Sequence, residues 1–153
     1  MDNIDRDIIR LLSENSRKTA SDIGKELHMS VPAIIERIRK LEDGGVIKKY
    51  SLSLDHTKFG RNIMAYIFMG FDSSKLEKDI REYILGNEEI VECSFITGDY
   101  DYILKVITRD PSSLTKLIHK LKSFKKVSRT RTIVILESIK NEAGAIAEME
   151  EIL

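Results

Sequence analysis

From Ile4 to Leu41 the apolar positions recur at spacings of three and four, the period of helices that bury one face. Ile4, Ile8, Leu11 and Leu12 mark a first helix over 5–14. Thr19-Ala20-Ser21-Asp22 places a hydroxyl three residues ahead of a carboxylate, a capping box, and opens a short second helix with Ala20, Ile23 and Leu27 inward. Gly24 in its middle costs about 1 kcal/mol of helix propensity, which predicts close approach by another helix. His28-Met29-Ser30 forms a turn. Ser30 then caps a third helix, Pro32 falls in its first turn, and Val31, Ile34, Ile38 and Leu41 make its inner face. Gly44-Gly45 ends that helix, and Val46 to Leu54 alternates like a strand.

After Gly60 the period shortens to that of strands. Asn62 to Phe71 is a nearly unbroken run of β-formers. Ser74-Lys75-Leu76-Glu77 repeats the capping-box spacing and opens a helix with Leu76, Ile80, Tyr83 and Ile84 on one side. Ile90 to Thr97 and Tyr102 to Ile107 read as strands joined by Gly98-Asp99-Tyr100-Asp101. Asp110-Pro111 starts a further helix with Leu114, Leu117, Ile118 and Leu121 inward, and Thr130 to Leu136 is a fourth strand. This α+β order, strand-helix-strand-strand-helix-strand, is ferredoxin-like, with both helices on one face of an antiparallel sheet. The other face, carrying either Ile63, Ala65, Ile67 and Met69 or Met64, Tyr66 and Phe68, then needs cover, and a second copy of the chain supplies it. Three parts follow: a helical domain with its connecting strand over 1–60, a ferredoxin-like domain over 61–140, and an acidic tail over 141–153.

Composition narrows the classes. The chain has 153 residues with 25 basic and 25 acidic side chains, so a histone-like, wholly basic binder is excluded. The lone Cys93 forms no internal disulfide and suits a reducing cytoplasm. Its alternation with Val91 and Phe95 predicts a small core residue. No apolar run reaches the ~20 residues of a membrane helix, and the first residues lack signal-peptide character. His28, His56 and His119 have no ligand-like spacing, so no metal site is expected. No nucleophile with an adjacent base and no cofactor fingerprint stands out, which argues against an enzyme.

Two short helices joined by a tight turn, the second opening on Ser-x-Pro, describe a helix-turn-helix for double-stranded DNA. The N-terminal outer face of the second must enter the major groove. Ser30, Pro32, Ala33, Glu36, Arg37 and Lys40 fall there; Arg37 suits guanine and Glu36 suits cytosine. Lys40, Lys48 and Lys49 suit phosphates, which position without reading sequence. A three-helix packing module with a solvated charged face is the bland alternative; the Gly-Gly-Val-Ile-Lys-Lys-Tyr exit weighs against it.

Asp2-x-x-Asp5-x-x-Ile8-Ile9-x-x-Leu12, Ser30-x-Pro32 and Glu36-Arg37-Ile38-x-x-Leu41-Glu42-x-Gly44-Gly45-Val46-Ile47-Lys48-x-Tyr50 follow in order. Leu54-Asp55, Phe59-Gly60, Gly98-Asp99-Tyr100-Asp101-Tyr102 and Thr130-x-Thr132-x-Val134 continue the pattern. Together they resemble the Lrp/AsnC (feast/famine) transcription regulators over almost the whole chain. The resemblance implies a winged helix-turn-helix and a C-terminal domain that binds a small effector, commonly an amino acid. It also implies homodimers that assemble further, to an octamer. The implied effector residues are Gly98, Asp99, Tyr100 and Asp101 in the loop, with Thr130, Thr132 and Val134 on the last strand. Asp101 would meet the effector's ammonium, and the glycine turn and threonines its carboxylate. Gly-Asp-Tyr-Asp is equally a good plain hairpin turn. A ligand-free architectural protein that compacts DNA would use the same residues. The run from Lys116 to Arg131, with Lys116, Lys120, Lys122, Lys125, Lys126, Arg129 and Arg131 and no acid, is either a DNA-backbone contact or a solvated helix face.

Overall fold

Asp2 accepts the Asp5 backbone N–H and Asp5 accepts the Asp2 N–H in return, at 2.9 and 3.0 Å. This reciprocal cap starts α1 (Asn3–Glu14) two residues ahead of the expected position. The computed structural model describes residues 1–72 and 78–140. The Ser74–Glu77 box, Leu76 and the tail from residue 141 lie outside the described residues. The described residues divide into two units, 1–53 and 54–140.

In the first unit, Thr19 caps α2 (Ala20–Glu26) by accepting the Asp22 N–H, and Ser30 caps α3 (Val31–Asp43) by accepting the Ala33 N–H. Between them His28 takes the left-handed conformation at φ 55°. The Met29 N–H then reaches back to the Gly24 carbonyl at 2.8 Å, the six-to-one bond of a Schellman ending. A Cβ on Gly24 would stand 2.7 Å from the Met29 carbonyl oxygen. The glycine is therefore required chiefly by the turn that ends its own helix, not by another helix as its position suggested.

Ile8, Ile23 and Ile34 are fully buried at the centre of the three helices, with Leu11, Leu12 and Leu41 around them. Val31 departs from the expected inner face and is exposed, because it lies to one side of the line through Ile34 and Leu41. Residues 46–54 also depart from expectation. Among the described residues no strand forms there, since no neighbouring strand in this unit offers a ladder. Instead the Tyr50 hydroxyl donates to the Glu42 carboxylate at 2.9 Å, tying the segment to α3. Partial burial, then that carboxylate, push the Tyr50 phenol up to about 12.

The second unit begins with a 3-10 turn (His56–Phe59) that Gly60 ends at φ 70°. Its elements are β1 (Ile63–Phe71), α4 (Lys78–Gly86), β2 (Ile90–Phe95), β3 (Tyr102–Thr108), α5 (Pro111–Lys122) and β4 (Val127–Ile135). The sheet runs β2-β3-β1-β4 with every pair antiparallel, the expected ferredoxin-like arrangement. Ala65, Ile67 and Met69 of β1 are fully buried with Leu104 and Val106 of β3, against Ile80 and Ile84 of α4 and the leucines of α5. The alternate residues Met64, Tyr66 and Phe68 occupy the open face, so the pleat decides between the two sets left open by the sequence. Cys93 is exposed rather than core. It lies on an edge strand whose register shifts between Ile90 and Glu92, which breaks the alternation with Val91.

Gly24→Ala tests the turn. Helix propensity alone favours alanine by about 1 kcal/mol, whereas overpacking against backbone costs about 1–3 kcal/mol. A net loss of about 1 kcal/mol is expected in a urea titration; a stabilised variant would contradict the close approach.

Candidate nucleic-acid interface and effector loop

The α3 helix presents its sequence-assigned residues unevenly. Ser30 at the cap, Pro32, Glu36 and Lys40 are exposed, while Ala33 is half-buried and Arg37 is turned toward α1. Ala33, Glu36, Arg37 and Lys40 border an open groove with Met29 and Val46. The outermost strip is different: Val31, Ile35 and Arg39 follow one another at four-residue spacing, and Ile35 is 54% exposed. Sequence reasoning missed Ile35. The signal was the Ile34-Ile35 pair, since adjacent positions on a helix cannot both face one core.

Electrostatics sort the charged residues. The Arg37 guanidinium lies 2.8 Å from the Asp2 carboxylate and 2.7 Å from that of Asp5. The same two aspartates cap α1, so Arg37 ties α3 to the start of α1 instead of standing free to read guanine. The hydrogen bonds it donates to Asp5 and then to Asp2 raise its pKa further. Glu36 is also engaged, with Arg39 at 3.2 Å and Lys40 at 3.7 Å, and those cations hold its carboxyl below the usual range. Such exposed pairs are weak and open readily to a phosphate. Lys48 and Lys49 are exposed and make no ion pair among the described residues. The Asp2–Arg37 bond spans 35 residues, and no local pattern could have announced it.

In the second unit Gly98 sits at φ 115°, which the β2–β3 loop requires. Asp101 fastens the loop to β1. Its N–H donates to the Met69 carbonyl at 3.0 Å, and its carboxylate accepts the Phe71 N–H at 2.8 Å. Tyr100 packs on Phe68 with ring centroids 5.7 Å apart, on the open face. The Arg129 guanidinium lies over the Tyr100 ring at 5.1 Å and donates to the Asp99 carbonyl. It also covers Gly70, where a Cβ would meet the arginine at 2.7 Å. Arg129 had no local signal, because only the Gly70–Arg129 register brings it to the loop.

Thr130, Thr132 and Val134 pair with Met69, Ile67 and Ala65. They therefore share the helix-covered face, opposite the side where Tyr100 and Arg129 meet. Within one chain the structure assembles Gly98, Asp99, Tyr100 and Asp101 with Arg129, but does not bring these three β4 residues to the same side.

Acid titration tests the Arg37 tie. Asp2 is held below its ordinary 3.8, first by the Asp5 N–H and then by Arg37. A carboxylate depressed by folding stabilises while ionised, and this contribution fades as pH falls below about 4. Arg37→Gln removes one cause, so urea midpoints at neutral and acid pH should show lower neutral stability and a shallower acid loss. An unchanged pH profile would mean that the ion pair contributes nothing.

Residues 1–42 match the family model of the AsnC-type helix-turn-helix domain, and residues 64–145 match the Lrp/AsnC ligand binding domain. The HTH-type transcriptional regulator LrpB of Bacillus subtilis (strain 168) is 36% identical over 121 residues, covering 79% of this chain and 80% of LrpB. The structure of B. subtilis LrpC superposes with a TM-score of 0.83 at 28% identity, covering 93% of this chain and 99% of LrpC. A transcriptional regulator from Neisseria meningitidis, solved as an L-Met complex, shares the fold with a TM-score of 0.84 at 24% identity, covering 94% of each chain. Two matched domains in this order, with the helix-turn-helix and four-stranded sheet described above, place the chain in the Lrp/AsnC family of transcriptional regulators.

Proposed function

We propose that this regulator binds a two-fold symmetric DNA site through α3, and that an amino acid or related metabolite modulates its binding or assembly. The observation that carries the DNA reading is the solvent-facing strip of α3 beside exposed Lys48 and Lys49, which are free of ion pairs among the described residues. Pro32 and Ile35 offer apolar contact to thymine methyl groups, Glu36 and Arg39 exchange their mutual pairing for base edges or phosphate, and Ser30 with the α3 N-terminus meets the backbone. Ala33 lines the groove beside them, Lys40, Lys48 and Lys49 neutralise phosphates, and Arg37 acts by positioning α3.

For the effector, the loop supplies chemistry of both signs. Asp99 and the second carboxylate oxygen of Asp101 suit an ammonium, and Arg129 suits a carboxylate. The ligand-binding-domain match and the L-Met complex of the Neisseria regulator support an amino-acid ligand. A ligand that also touches Thr130, Thr132 or Val134 takes them from a neighbouring copy, because in one chain they face away. The open sheet face, with Met64, Tyr66, Phe68 and exposed Ile133, is covered in this reading by a second chain. Assembly beyond the dimer, up to an octamer, then brings loop and strand from different copies together. Such a protein works in the cytoplasm, where DNA and amino acids meet.

The test is binding to the duplex upstream of the protein's own gene, with and without a pool of the twenty amino acids, alongside light scattering for mass. Specific binding that shifts with the pool, from a dimer or a multiple of it, is the expected result. Specific binding indifferent to the pool favours the ligand-free architectural reading, and a monomer would refute the covered face. Replacing thymine by deoxyuracil in a site selected from random duplex should weaken the wild type about fourfold for each methyl group that the protein covers. Ile35→Ala should lose the part of that sensitivity that Ile35 carries and keep the part due to Pro32; sensitivity equal to the wild type's would remove Ile35 from the reading face.

A further inference from the structure

We propose that the lysines of α5 and the turn after it form a second, sequence-blind phosphate-binding surface for duplex DNA, separate from the helix-turn-helix. The structure divides the basic run noted in the sequence. Arg129 and Arg131 lie on the open sheet face, opposite Gly70 and Phe68. Lys116, Lys120, Lys122 and Lys125 belong to the helix side and are exposed, while Leu114, Leu117 and Leu121 bury the other face of α5. Among the described residues none of these four lysines forms an ion pair with a carboxylate. On α4, Glu82 lies 3.7 Å from Lys78 and Asp79 accepts the Ile80 N–H at 2.8 Å.

One cation is fixed in place. The Lys120 ammonium lies 5.0 Å from the Phe124 ring centroid and 5.6 Å from that of Tyr83, and the two rings pack together at 5.6 Å. The rings hold the ammonium by cation–π attraction and leave its donors toward solvent, so less freedom is lost when a phosphate arrives. The helix dipole accounts for cations in the last turn of α5, where Lys120 and Lys122 lie. It does not account for Lys116, which precedes that turn, or for Lys125, which follows the helix. The chain as a whole is neutral, so this run from Lys116 to Arg131, which contains no acid, is a segregation of charge and not a reflection of a basic protein. The polyanion this protein already engages is DNA, and charge complementarity makes duplex phosphate the occupant.

The experiment uses the full chain, a random-sequence duplex of about 60 base pairs, and a salt series. Lys116→Gln with Lys125→Gln is the main variant, because neither lysine belongs to the helix's last turn. Removing one lysine from a phosphate should reduce the log–log salt slope by about 0.9, so the double variant should lose about 1.8 from the wild-type slope. Between about 50 and about 200 mM salt, its affinity should then fall about 12-fold less than that of the wild type. Lys116→Arg with Lys125→Arg should keep the wild-type slope. An unchanged slope in the glutamine variant, with or without a uniform loss of affinity, overturns the proposal. So does loss of binding to anionic phosphatidylglycerol vesicles with the DNA slope intact, which would give the surface to a membrane. If thermal unfolding shows that the double variant misfolds, Lys125→Gln alone is read the same way, with an expected slope change of about 0.9.

Discussion

The pairing of β1 along both edges governs the second unit, because every other part is located by reference to it. Its residues alternate between Ala65, Ile67 and Met69, buried beneath the helices, and Met64, Tyr66 and Phe68 on the open side. Shifting its register by one residue would exchange those faces and expose the core. The same strand supplies the Met69 carbonyl and Phe71 N–H that anchor Asp101, and the bare Gly70 on which Arg129 rests. Core, loop and guanidinium are thus aligned by one set of ladder hydrogen bonds.

The first unit has a comparable point of dependence at Asp2 and Asp5. These carboxylates begin α1 and also receive Arg37 from α3. Starting one helix and orienting another are therefore the same event. This also explains why the outward face of α3 is rotated toward Val31, Ile35 and Arg39: the arginine that would have extended it on the other side is drawn inward.

Local signals in the chain were enough for the element order and most of the caps. Thr19 with Asp22, Ser30, and Asp110 with Ser113 act within three residues, and such bonds are legible wherever they occur. The strand over 46–54 failed because alternation describes a chain able to pair, and pairing needs a neighbour. Cys93 failed because a period of two says which side a residue takes but not whether its strand lies at the edge. The candidate sites divide in the same way. Gly98 to Asp101 was visible as a loop, whereas the tie of Arg37, the exposure of Ile35 and the opposite facing of Thr130, Thr132 and Val134 depend on partners distant in sequence.

The double anchorage of Asp101 bears on the thermodynamics of whatever the loop receives. A recognition loop that orders only on binding draws that ordering from the ligand's interaction energy, and the process carries a large negative heat-capacity change. Here the loop's backbone is already fixed by two hydrogen bonds to the central strand and by a glycine that accepts its left-handed bend. A small polar ligand meets a framework whose entropy was surrendered in folding, so its binding heat should vary little with temperature.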